Sequence, residues 1–309
     1  MIVAAGLSPA WQQILLFDHF TPGAVNRAVE SYWCASGKVL NVGLGLHHLG
    51  APSCTISPVG GPAGAMIERE FTSVDATLLA IACASTTRVC TTILDQESHI
   101  TTELVEAAPA ISPAELEDYV SQFSQAAKEA SVLVLTGSLP AGTSHSFYRD
   151  LMLAAPEVPT ILDARGPELL DALAGRPLLV KPNREELGIT FGQPIRGDEE
   201  LLSAMRELNV RGAQWVVVTS GKQSVLVTSA DATYRLTPPT VPDAINPIGC
   251  GDALTAGLAW GISRGLAPID AIRTGMAAAT DRLRQILPAR LDASNTERIA
   301  AGIVAERMD

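Results

Sequence analysis

The chain has 309 residues, of which 47% are apolar and 18% charged, enough to bury a sizeable core and to place it among globular proteins. A formal charge of −11 and a pI near 4.9 argue against a surface that grips a nucleic-acid backbone or an anionic membrane and favour small-molecule chemistry, while leaving room for a local basic pocket. Cys34, Cys54, Cys83, Cys90 and Cys250 include no Cys-x-x-Cys pair, so neither a zinc site nor a disulfide framework is expected, and a reducing, cytoplasmic setting fits.

The opening MIVAAGLSPAWQQ lacks a basic flank ahead of a long apolar run, and no stretch approaches the roughly 18 apolar residues of a spanning helix. The mature protein is therefore expected to begin near Met1 and to have no membrane contact. In the first third, Gln13 to Phe17, Ala24 to Trp33, Arg88 to Leu94 and Ile100 to Glu106 are rich in Val, Thr and Ile and are not each followed by a helix. They predict a small accessory sheet drawn from about 11–34 and 86–106, a lid over a site that closes. Between them GLGLHHLG, Gly43 to Gly50, superficially suggests a dinucleotide fingerprint, but it follows no convincing strand and its later spacing is wrong, so it reads as a helix with small packing residues.

From about residue 110 the pattern alternates as a parallel sheet with crossover helices requires. Helix Pro113 to Ala130 precedes strand Val132 to Leu135, and helix Ser144 to Ala154 precedes strand Thr160 to Leu162. A helix near Pro167 to Ala174, strand Leu178 to Val180, helices Arg184 to Ile189 and Glu199 to Leu208, and strand Trp215 to Thr219 continue it. The fold class is α/β: a doubly wound, mostly parallel sheet flanked by helices, with a small β-sheet lid. No repeat or Gly/Ser linker divides the chain, so 1–309 is expected to be a single domain.

The most informative motif is Asn246-Pro-Ile-Gly-Cys-Gly-Asp252, ahead of an apolar helical stretch. Gly249 and Gly251 let backbone N–H groups approach an anion at a helix N-terminus, and the acid beside them makes sense as a base that takes a proton from an attacking hydroxyl. The competing account is an ordinary N-terminal cap. Asn183 and Glu186 lie three apart at a helix start, so they either share a task or form a capping box. Thr219 and Gly221 mark a turn at a strand end, where open α/β sheets bind ligands, or a plain hairpin between two strands. No Walker-type loop occurs, and His19, His47, His48, His99 and His145 show no ligand spacing.

SGKVLN at Ser36 to Asn41, TGSLPAG at Thr136 to Gly142, KPNREEL at Lys181 to Leu187, VVVTSGKQS at Val216 to Ser224 and GCGD occur together and in this order. In that combination the chain resembles the ribokinase-like (PfkB) sugar kinases, closest to the branch containing 1-phosphofructokinase and tagatose-6-phosphate kinase. The resemblance runs essentially end to end, from LSPA near Leu7 through TRV at Thr87 and TTELVEAAPAIS at Thr101 to the final helices.

The resemblance implies an ATP-dependent kinase acting on a small sugar, in this branch an already phosphorylated one. It makes Asp252 the general base and the N–H groups of Gly249, Cys250 and Gly251 an anion hole, whose donors are worth on the order of 3 kcal/mol each in a dry site. Asn183 and Glu186 would place a hydrated Mg2+ through water, and Lys181, Thr219 and Gly221 would lie along the nucleotide. Gln12, Gly37, Lys38 and Asn41 fall on the sugar side. Arg88 and Ser138 match positions that grip the substrate's phosphate, and Lys38 and Arg27 add charge to that cluster.

The pattern is broken in places. Gln12 replaces the family's sugar-binding Asp, keeping an acceptor without the charge. Ser36 and Val39 replace glycines, and a β-branched Val39 is expected to be incompatible with a positive φ and to crowd a ligand. Pro247, Cys250 and Ser224 are further departures, yet Asp252 and both flanking glycines remain. These changes keep open a catalytically weak relative that senses sugar or nucleotide, or a kinase for an unphosphorylated sugar or nucleoside. Exposed lid strands would prefer a partner, which predicts a homodimer pairing lid against lid.

Overall fold

Strand β1 (Ile2–Ala5) is buried at every position and serves two cores at once, as a strand covered on both faces must. Val3 and Ala5 belong to one core and Ile2 and Ala4 to the other. The structure, a computed structural model, describes residues 1–308.

Around β1 a 10-stranded sheet is laid out. β4 (Ser53–Val59) and β5 (Leu78–Ala82) extend it to one side. On the other side stand β8 (Val132–Thr136), β9 (Thr160–Asp163), β10 (Leu179–Val180) and β11 (Trp215–Val218), all parallel. An antiparallel tail of β12 (Val225–Ser229), β13 (Thr233–Leu236) and β14 (Ala305–Arg307) closes that edge. The strand order reverses beside β1, and the carboxyl ends of strands at such a switch point open onto a crevice.

One face is covered by α3 (Pro113–Ala127), α4 (Phe147–Leu153), α5 (Gly166–Ala172), α6 (Arg184–Phe191) and α7 (Asp198–Arg211). The start of α3 is legible: Ser112 and Glu115 form a reciprocal capping box around Pro113, and Tyr119, Phe123 and Ala127 recur at the four-residue spacing of a single buried stripe. The opposite face carries α1 (Lys38–His48), α8 (Cys250–Ser263), α9 (Pro268–Arg282) and α10 (Ala293–Ala301). The remaining helix, α2 (Gly61–Ser73), packs Ile67 and Phe71 beneath the lid. Among the described residues no helix is long and apolar enough to cross a membrane, and all the cysteines are free.

The lid is a four-stranded sheet in the order β3-β2-β6-β7, built from β2 (Ala10–Phe17), β3 (Glu30–Ser36), β6 (Arg88–Asp95) and β7 (Ile100–Val105). It departs from the sequence expectation at one strand. Of the strand expected over Ala24 to Trp33, only the part from Glu30 is extended, because Asn26 bonds back to the Thr21 N–H and carbonyl (2.9 and 2.8 Å) and holds the Pro22-Gly23 segment as a loop. The strand instead runs on to Ser36 and leads straight into α1 through Gly37. The helix that carries Gly43 to His48, with Gly50 in the turn beyond it, therefore does follow a strand, one that belongs to the lid and not to the main sheet.

Candidate active site

An open cleft of about 1790 Å³ lies between the lid and the carboxyl edge of the main sheet. Its floor is the first turn of α8. Gly249 caps this helix at φ 84°, a left-handed conformation that a side chain would strain, and the side chain of Asp252 takes no part in capping. The capping account of Asp252 is thereby set aside. The Gly249 and Gly251 N–H groups have no hydrogen-bond partner among the described residues, while the Cys250 N–H makes a long bond to the Pro247 carbonyl at 3.3 Å. Burial pushes the Cys250 thiol up to about 11 against the pull of Arg282, so it stays neutral.

Asp252 is 8% exposed, and Asn41 Nδ2 of α1 donates to its Oδ2 at 2.7 Å. Burial, reinforced by the charge of Asp163, pushes its carboxyl up to about 6, against the opposing pull of Lys38, the Asn41 hydrogen bond and Lys181. A carboxylate tuned this close to neutrality is a competent proton acceptor. Asn41 Oδ1 is buried without a partner, an acceptor left over beside the base.

Behind this floor is a lysine–carboxylate cluster. Asp163, at the end of β9, is fully buried and pairs with Lys38 Nζ at 2.8 Å and Lys181 Nζ at 3.2 Å. Burial alone would raise its pKa, but the two lysines outweigh burial and hold it below the usual carboxylate range. Lys38 also reaches Glu186 Oε1 at 2.9 Å; burial works against its charge, and Asp163 and Glu186 more than offset it, so its pKa is raised. Lys181 Nζ stands 3.6 Å from where a Cβ on Gly251 would be, beside the predicted anion hole.

Asn183 and Glu186 form the capping box of α6, the side chain of each accepting from the other's N–H at 2.7 and 2.9 Å. Glu186 is thus engaged by both oxygens. No group of three or more His, Cys, Asp or Glu among the described residues is placed to hold a metal ion. These side chains fit a divalent ion held through its water shell and not by direct ligation. Thr219 follows β11 and bridges Asn183, and β11 and β12 pair antiparallel across Gly221, so the hairpin account is realised and the hairpin also lines the cleft. The far wall is segment 238–244, which the sequence motifs did not single out.

On the lid side, Gln12 is buried and donates to Thr92 Oγ1 at 2.7 Å, and Gly37 opens α1 at φ 88°, where a Cβ would lie 2.7 Å from the Ser8 carbonyl. Arg88 lines the cleft with its guanidinium held by the carbonyls of Pro9, Glu106 and Ser8 at 3.2, 2.9 and 3.1 Å. Ser138 is bonded to Ser8 from the other side, but it is exposed and lies outside the cleft lining. Arg27 is likewise exposed on the β2–β3 connection, away from the cleft of its own chain. Val39 corrects the sequence expectation: it is 1% exposed in the core with Leu40 and Phe71, inside α1 and with no positive φ, so it crowds no ligand. The missed residue is Asp163. An acid closing a parallel strand, at the carboxyl edge where such sheets bind ligands, was a usable signal.

A family model described as pfkB family carbohydrate kinase matches residues 17–285. The chain is 30% identical over 267 residues to a tagatose-6-phosphate kinase of Staphylococcus epidermidis, covering 85% of each. It is 34% identical over 294 residues to a 1-phosphofructokinase of Rhodobacter capsulatus, covering 93% of this chain and 92% of that protein. Its fold superposes on phosphofructokinase-2 from Escherichia coli, solved as a tetrameric inhibited form, with a TM-score of 0.87 at 24% identity, over 97% and 98% of the two chains. It also superposes on a structure described as a possible 1-phosphofructokinase from Thermotoga maritima, with a TM-score of 0.91 at 20% identity over the whole of both chains. At these identities the solved structures establish the fold alone.

Proposed function

The chain belongs to the pfkB family of carbohydrate kinases, and from that premise we propose that it transfers the γ-phosphoryl group of ATP to a hydroxyl of a ketohexose phosphate, with Asp252 as general base. The observation that carries the reading is a buried carboxylate, pushed up to about 6, in the first turn of a helix whose Gly249 and Gly251 N–H groups are unpaired.

In the proposed reaction the substrate hydroxyl attacks the γ-phosphorus, its proton passes to Asp252, and ADP leaves. Charge spreads over the transferring oxygens, where the helix terminus and the Gly249–Gly251 N–H groups stabilise it. Asn41 holds Asp252 with its amide and offers its free Oδ1 to a sugar hydroxyl. Lys181 stands beside the hole, and Thr219, Gly221 and segment 238–244 line the nucleotide end. Mg2+ fits as a water-held ion near Glu186 and Asn183, where it would neutralise phosphate charge. Gln12, Arg88, Gly37 and Lys38 border the sugar end, Lys38 by fixing Asp163 and Glu186. We assign the whole chain to one kinase unit, and free cysteines fit a cytoplasmic setting.

The test is turnover with ATP and Mg2+ against fructose 1-phosphate, fructose 6-phosphate, tagatose 6-phosphate and unphosphorylated sugars and nucleosides, with Asp252→Asn alongside. Turnover confined to a phosphorylated ketohexose and reduced about 10³-fold or more in the variant is expected. Reaction of a free sugar or nucleoside alone would remove Arg88 from the phosphate grip, and binding without turnover would favour a sensor.

The lid supports a lid-to-lid homodimer. Val29, Trp33, Ile100, Leu104 and Val105 are 46–60% exposed, an apolar surface of the kind a partner covers. Sedimentation at micromolar concentration should give a dimer, and a monomer there contradicts the pairing.

A further inference from the structure

Among the described residues, the largest fully buried side chain is a cation. Arg282, the last residue of α9, is 0% exposed, and no carboxylate lies within ion-pairing distance of it among the described residues. A buried guanidinium without a countercharge is expensive, so its surroundings must compensate it. An arginine at a helix end ordinarily reaches the carbonyls of its own last turn. Here the guanidinium reaches past its own helix instead: Nη1 bonds the Gln285 carbonyl, three residues beyond the end of α9, while Nη2 crosses to the Ile248 carbonyl at 2.8 Å, in the turn that precedes α8, and also touches the Ile286 carbonyl at 3.5 Å.

That turn is the one that sets the anion hole. Asn246, fully buried, laces the same two segments: its Oδ1 accepts from Ile248 N–H at 3.0 Å and its Nδ2 donates to Ile286 O at 2.8 Å. The remaining donor of the guanidinium, Nε, is buried with no partner and lies 3.8 Å from the position a Cβ would take on Gly249. One arginine therefore grips a carbonyl of the turn while a leftover N–H lies beside Gly249. Besides the Cys250 and Cys34 thiols, Asp252 is the carboxylate whose charge acts on it, from beyond ion-pairing distance.

We propose that Arg282 is a positioning residue for phosphoryl transfer: its guanidinium fixes turn 246–249 in the shape that presents the Gly249 and Gly251 N–H groups. The negative phosphoryl group arriving in the hole then supplies the countercharge that the buried guanidinium lacks. This inference rests on the kinase reading of the site. Because the interaction matters most when charge develops, its loss falls on kcat and not on the binding of either substrate.

The experiment compares wild type, Arg282→Met and Arg282→Lys with ATP, Mg2+ and whichever sugar phosphate the wild type accepts, and adds Arg282→Gly with and without guanidinium chloride; circular dichroism monitors folding. The expected result is a loss of about 100-fold in kcat for the methionine variant with both KM values within about threefold, as for removal of one oxyanion-hole donor. The lysine variant should recover part of that loss, and added guanidinium should restore part of the activity of the glycine variant. A folded methionine variant with kcat near wild type, or with only KM altered, overturns the proposal. So does failure of every variant to fold with no recovery on adding guanidinium, which would make Arg282 a core residue only. An inactive wild type removes the kinase reading and this inference together, whereas an active wild type with an equally active methionine variant removes the inference alone.

Discussion

Two buried aspartates at the edge of the same cleft have opposite proton affinities. Asp163, at the end of β9, is clasped by Lys38 and Lys181 and held below the usual carboxylate range despite its burial. Asp252, in the first turn of α8, has one amide for a partner and is pushed up to about 6, partly by the charge of Asp163 itself. The saturated acid is held toward its charged form and pairs with both lysines; the under-satisfied one is left closer to gaining and losing a proton. Environments that separate two carboxylates in this way also separate their roles.

The difference is sharpest as a sign in stability. Asp163→Asn leaves Lys38 and Lys181 facing a neutral amide, with Lys181 almost fully buried, and should destabilise the protein by about 3–5 kcal/mol in urea unfolding. Asp252→Asn should do the reverse. Its folded pKa lies above the unfolded value, so its contribution to stability is fully present below the unfolded pKa and is lost as pH rises through about 6. At pH 7 the buried carboxylate is a net penalty on the order of 3 kcal/mol, which the amide relieves. A destabilised Asp252→Asn protein would mean that the site does not strain this carboxylate, and the comparison with Asp163 would collapse.

How much of this the sequence disclosed depended on whether the signal was local. The start of α8, the capping box of α6 and the apolar strands of the sheet are written in adjacent residues, so Asp252, Asn183 and Glu186 were readable. Asp163 was not, because its role comes from Lys38 and Lys181, which lie 125 and 18 positions away in the chain and meet it only through the sheet topology. Val39 failed in the other direction. Its motif position suggested a ligand contact, whereas the register of α1 turns it into the core beside Leu40 and Phe71. Val39→Ala should therefore cost roughly 2 kcal/mol of stability while leaving the substrate KM within about twofold. A changed KM with unaltered stability would restore the motif-based reading.

The smallest effect is the most diagnostic of which group is the base. The acid limb of kcat/KM should fall off below about pH 6 if Asp252 must be ionised. A sugar phosphate also titrates near pH 6, at its second ionisation, so a wild-type limb there does not by itself identify the enzyme's group. Asn41 separates the two, because its amide donates to Asp252 at 2.7 Å and favours the charged carboxylate. Asn41→Ala removes that donor, so the protonated form gains and the limb should move to higher pH by about one unit, the equivalent of one charge-assisted hydrogen bond of about 1.4 kcal/mol. The substrate's own ionisation is untouched by the substitution. A limb that stays fixed while activity survives therefore assigns the titration to the substrate, and a limb that moves up assigns it to Asp252.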